Sequence, residues 1–151
     1  MEKIHQVIND KGWARWTALL LIASMMFFAY MFVDVMSPLQ ELLETQLGYY
    51  AGAEYMLNVF GFLIVAGIIL DKMGVRFTGT LSASLMVGGA VIKLYAISPW
   101  FVGTGFDSWL SSWWTDMPGS AKLAALGFMI FGCGCEMAGI TVSKAIARWF
   151  E

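Results

Sequence analysis

Four stretches of about twenty residues, each nearly free of charge, constrain this chain more than any other feature. They run Thr17–Met36, Ala51–Leu70, Phe77–Ile97 and Lys122–Val142. A helix needs ~20 mostly apolar residues to cross the hydrocarbon core of a bilayer, and each stretch meets that length. Soluble domains hold roughly 25% charged residues, against 13% here, while 59% of the chain is hydrophobic. The pattern predicts an all-α integral membrane protein with four transmembrane helices. Residues 1–16 are then an N-terminal segment and 17–151 the transmembrane region. The first apolar stretch is longer than the ~7–15 residues of a signal-peptide core, so it is expected to remain as a span.

Charge sorts the loops. Lys3, Lys11, Arg15, Lys72, Arg76, Lys144 and Arg148 fall at one side of the four spans, whereas Glu41, Glu44, Asp107 and Asp116 fall at the other. Cytoplasmic loops collect Lys and Arg, so both termini and the 71–76 turn are expected in the cytoplasm. A cell membrane is the expected location, and the short loops favour a bacterial inner membrane.

The connections carry their own signals. Ser37, Pro38 and Gln40 read as an N-cap, a first-turn proline and a capping-box partner, so a helical segment is expected to end near Gly48. The longer connection from Ser98 to Ala121 contains Trp100, Trp109, Trp113 and Trp114. Tryptophan prefers the headgroup level, which predicts a surface segment with a short amphipathic helix. In the fourth stretch, Gly134 with Ala138 and Cys135 with Gly139 form small-xxx-small pairs, and Ser84 with Gly88 forms another in the third. Such pairs let helices approach closely.

No catalytic constellation is present. Cys133 and Cys135 share a C-x-C spacing inside an apolar run with no histidine nearby, so they read as small residues at a helix contact. His5 is the only histidine and lies in the polar N-terminal tail. An enzyme, a metal site, a cofactor and a nucleic-acid partner are all unexpected.

Ionisable groups inside a membrane cost at least ~2.5–3.5 kcal/mol and mark function by default. Glu136 lies within the fourth stretch. Asp34 lies near the outer end of the first, with Tyr30 one turn below. Glu54 and Asn58 stand at i and i+4 in the second and are expected to face protein or water, with Gly61 and Val65 continuing that face. Lys93 in the third is expected either to pair with Asp34 or, preferably, to snorkel outward.

Residues 67–76 read GIILDKMGVR. Gly67, Asp71, Lys72, Gly74 and Arg76 fill the pattern G-x-x-x-D-(R/K)-x-G-x-(R/K) in the turn between the second and third spans. In this the chain resembles the major facilitator superfamily. The segment GCGCEMAGITVSKAIARWF resembles that family's fourth helix, where a glycine-rich run leads to Trp-Phe. Glu136 after those glycines, and Asp34 before Pro38, are similar to the branch that includes the lysosomal dipeptide uniporter. Phe128 and Met129 stand where many members carry an arginine, so proton coupling through that arginine is not implied.

The resemblance spans essentially the whole chain and corresponds to the first four of the family's twelve helices. It implies a secondary-active or facilitative transporter of small solutes working by alternating access, with peptide- or amino-acid-like substrates favoured. Tyr30, Asp34, Asn58 and Glu136 would then contribute to a substrate site. Gly67, Asp71, Lys72, Gly74 and Arg76 would form a cytoplasmic gating motif. The partners implied are the lipid bilayer, a small-molecule substrate, and the remaining transporter helices or further copies of the chain. The alternative is a stand-alone or truncated four-helix protein acting as an oligomer or assembly partner.

Overall fold

The computed structural model describes residues 12–34, 52–113 and 116–149 of the chain. They form α1 (Gly12–Asp34), α2 (Gly52–Ala96), α3 (Gly105–Ser111) and α4 (Gly119–Trp149), with no strand among the described residues. Helices α1, α2 and α4 are each long and apolar enough to cross a membrane, as in a multi-pass membrane protein. They overrun the apolar stretches at several ends, because a helix keeps its backbone bonds on entering the headgroup layer while its side chains turn polar. The segment from Ser37 to Gly48, His5 and Trp114 lie outside the described residues.

Helix α2 is 45 residues long and contains two glycines with positive φ. At Gly74 (φ 81°, ψ 169°) the backbone leaves helical geometry, in a region that L side chains rarely adopt. The chain turns back there. Along α4, Glu54 packs beside Gly132 and Asp71 meets Lys144, so residues 52–73 run parallel to α4. Ser82 meets Gly134 and Gly89 meets Gly127, so residues 75–96 run antiparallel to it. Helix α1 is antiparallel to α4 as well, with Met26 beside Gly139 and the Phe32 ring centroid 4.8 Å from that of Phe131, the two planes tilted by 40°. Successive long segments therefore alternate in direction.

Helix α4 is the hub. Its most apolar window is 56% buried, against 6% for that of α1, so α1 is a peripheral helix leaning on one side of it. Its seam with the second arm of α2 is built from buried Ser82, Met86 and Gly89 facing Gly127, Phe131 and Gly134. A Cβ at Gly89 would lie 2.5 Å from the Gly127 carbonyl oxygen, and one at Gly134 2.8 Å from the Ser82 oxygen. The Ser82 hydroxyl donates to the Gly134 carbonyl at 2.6 Å across this contact. The expected Ser84–Gly88 pair does not form the seam. Ser84 is exposed and donates to Thr80 of its own helix, and Gly88 has open space beside it. The contact stripe is rotated from it around the helix, because only the 82, 86, 89 spacing keeps small residues in register with the α4 glycines.

The tryptophan-rich connection forms α3 as expected. Thr104 caps it, its hydroxyl accepting from the Asp107 N–H at 3.3 Å. At the other end the Lys122 ammonium donates to the carbonyls of Leu110 at 2.8 Å, Ser111 at 3.2 Å and Trp113, closing the helix C-terminus onto α4. Phe106, Trp109 and Trp113 stack in sequence along one exposed side, the arrangement of an interfacial aromatic belt.

Candidate functional site

A polar cluster lies deep between α1, the first arm of α2, and α4. Glu54 is its most enclosed member, with only 2% of its surface exposed. It reaches that depth because Gly132 on α4 has no side chain. A Cβ there would collide with the Glu54 backbone oxygen and lie 2.6 Å from its Cγ. Gly132 is about 20 Å along the axis from Gly119 and about 25 Å from Trp149, so the contact falls near the middle of α4. Glu136 follows one turn later on the same helix and is half-buried. Glu54 is within electrostatic reach of Glu136, Asp34 and Lys93, and Tyr55 is its hydrogen-bonding neighbour. Tyr30 lies within electrostatic range of Cys135, Glu136 and Glu54.

Asn58 is one turn beyond Glu54. Both its amide nitrogen and its amide oxygen are buried without a hydrogen-bond partner among the described residues. Leaving a buried polar group unmatched costs roughly 1–3 kcal/mol, so this carboxamide holds its place against a penalty. The backbone next to it is irregular. Residues Asn58–Phe62 form a π-helical turn, and Gly61 within it has φ 94°. Turns of this kind cluster at functional sites. The irregular turn also resets the helix face: Val65, expected to continue the Glu54–Asn58 side, is 50% exposed.

The structure thus brings Tyr30, Asn58 and Glu136 to one region, with Asp34 at its edge. Tyr30 and Asp34 are both exposed, so among the described residues the α1 side of the cluster is open. Glu54, flagged in the sequence only as half of a polar face, is the buried centre. The signal that identifies it is a glycine at matching depth on another helix, which one helix's periodicity does not carry. Lys93 corrects the expectation of snorkelling. Its ammonium turns inward, 4.1 Å from the Phe32 ring centroid and 4.4 Å from that of Phe128. Two aromatic faces attract a desolvated ammonium by about 2 kcal/mol or more, which favours this site over the boundary.

The turn motif forms a second feature. Gly74 makes the reversal, and Asp71 and Lys144 form an ion pair that ties the end of the first arm to α4. Arg15, Lys72, Arg76, Lys144 and Arg148 share this end of the bundle, as the parallel and antiparallel contacts require. Gly67 has open space beside it, so it makes no close helix contact here. Cys133 and Cys135 are buried free thiols in the core, and no metal-holding group of His, Cys, Asp or Glu occurs among the described residues.

No family model, curated protein or solved structure matches the chain, so its own geometry carries the functional argument.

Proposed function

We propose that this chain is the four-span N-terminal part of an alternating-access transporter for small solutes, of the major facilitator kind, with both termini in the cytoplasm. The single observation carrying this reading is the polar cluster of Tyr30, Glu54, Asn58 and Glu136 near mid-depth of an otherwise apolar bundle. Carboxylates and an unmatched carboxamide at that depth are expensive, and an open side toward α1 gives a solute access to them. Transporter sites lie near the bilayer midplane and use irregular helices, which fits the π-helical turn beside Asn58. Four crossings are supported by length and direction. Each arm of α2 is about 33 Å long, enough for a ~30 Å core, and the long segments alternate in direction. The Gly74 turn with Asp71, Lys72 and Arg76 fits the gating motif that the sequence resembles. The net acidity of the cluster favours solutes with an amino group, peptide- or amino-acid-like ones among them.

A second reading, an oligomer or assembly partner without transport of its own, is favoured by one observation. Tyr30 and Asp34 leave the α1 side of the cluster uncovered by the described residues. Further helices or another copy would cover it.

Uptake of labelled dipeptides, amino acids and simple amines into native membrane vesicles carrying the chain with its partners tests the proposal. Saturable uptake lost in Glu136→Gln and in Glu54→Gln, with melting unchanged, is the expected result. Uptake indifferent to both substitutions would sink the site. No uptake of any solute, together with a stable multimer by light scattering, would favour the second reading.

A further inference from the structure

We propose that the groove between α1 and the second arm of α2, at the Gly74 end, is a binding site for an anionic phospholipid. One acyl chain would lie along the groove and the phosphate would sit on Arg76. The groove has a volume of about 420 Å³ and is walled by Ile22, Met25, Gly79, Ala83 and Ala138, with Arg76 at its mouth. From Val75 to Ala83 it extends about 12 Å along the helix axis. Glycine and alanine on its floor keep it open. A Cβ at Gly79 would meet nothing within 4 Å.

Chemistry separates the two ends. The walls are apolar, and the hydroxyls on them are spent on their own helices, Thr80 donating to the Arg76 carbonyl and Thr141 to that of Met137. Nothing along the groove therefore recognises a polar solute. At the mouth the Arg76 guanidinium is exposed and makes no hydrogen bond or ion pair among the described residues. Lys72 lies on the other side of the Gly74 reversal, also exposed, while the nearby Asp71 is engaged by Lys144. A positive fork above an apolar slot matches a phosphate diester carrying a hydrocarbon tail. Basic pockets between transmembrane helices bind lipid headgroups on these grounds. A free phosphate would leave the slot empty. The side of the groove is open past Leu21, which is 67% exposed, so a bilayer lipid can enter laterally.

The inference does not depend on transport, only on the chain lying in a bilayer. Its test is native mass spectrometry of the full chain released from nanodiscs of equal phosphatidylglycerol and phosphatidylcholine. The wild type is expected to retain phosphatidylglycerol preferentially. Arg76→Gln should lower that retention about fivefold, the worth of one basic residue at a lipid surface, and leave phosphatidylcholine unchanged. Arg76→Lys should restore most of the preference. Gly79→Leu, which fills the slot and keeps the charge, should reduce retention of both lipids. Equal preference in the wild type and Arg76→Gln would overturn the proposal. So would full retention in Gly79→Leu, or a Lys72→Gln effect as large as that of Arg76→Gln, since the last indicates diffuse attraction to the whole basic end. A disulfide cross-link between copies of an Ile22→Cys variant would also overturn it, by showing protein in the groove.

Discussion

Neighbouring glycines in the second arm of α2 should respond oppositely to the same added methyl group. Gly89 faces α4, and an alanine Cβ there would lie 2.5 Å from the Gly127 oxygen, 2.6 Å from the Phe131 nitrogen and 2.9 Å from its Cα. All three are backbone atoms of a helix, so no side chain can swing aside. Ordinary contact begins near 3.4 Å, and the helices must part by roughly 1 Å to reach it. A gap of that size forfeits a quarter to a half of each dispersion contact along the seam. It also stretches the Ser82–Gly134 bond, and interhelical bonds of this kind are worth ~0.6 kcal/mol in membrane proteins. Together these give a loss of about 2 kcal/mol for Gly89→Ala, inside the usual ~1–3 kcal/mol for overpacking. Gly88 points into open space, so Gly88→Ala adds only helix propensity and should gain roughly 0.5–1 kcal/mol. Reversible unfolding in mixed micelles, titrated with denaturing detergent and followed by circular dichroism, measures both. A Gly89→Ala protein as stable as wild type, or equal shifts of the same sign for both variants, would refute the packing argument.

The Asp71–Lys144 pair is largely exposed on its acidic side (74%), so Asp71→Asn alone should cost under ~1 kcal/mol. The charge-swapped pair Asp71→Lys with Lys144→Asp should recover most of what either single reversal loses, measured by the same titration. Lys122→Met removes a cation bridging three carbonyls. It should release α3, seen as amide exchange several-fold faster over 105–113 with little change in α4. Ser82→Ala should cost about 0.6 kcal/mol in the unfolding titration, and much less in a Gly89→Ala background where the bond is already stretched.

Much of this arrangement is legible one segment at a time. The apolar stretches locate the long helices, Gly74 marks the reversal, and the tryptophans mark the surface helix, because each depends on local composition. What is not legible depends on how one helix is rotated against another. Ser84–Gly88 and Ser82–Gly89 are comparable small-residue patterns on one helix, and only the spacing of Gly127 and Gly134 opposite chooses between them. Glu54 becomes a buried centre only because Gly132 arrives at its depth. The irregular turn at Asn58–Phe62 shifts the face on which Val65 falls, and no periodicity count anticipates an inserted residue. Lys93 turns inward because Phe32 and Phe128, on two other helices, meet beside it.

The reversal at Gly74 also bears on how the chain is made. A turn carried by a single residue leaves no slack between the two arms it joins, 22 residues on either side. On the four-span reading proposed above, one arm has no means of settling in the bilayer while the other waits in water. On that reading the pair leaves the translocation machinery as a preformed hairpin. Synthesis then delivers α4 afterwards onto a groove already lined with Ser82, Met86 and Gly89. Any residue that disfavours positive φ at position 74 would thus be felt first during assembly, as chains lost to quality control, and only secondarily in the stability of the finished bundle.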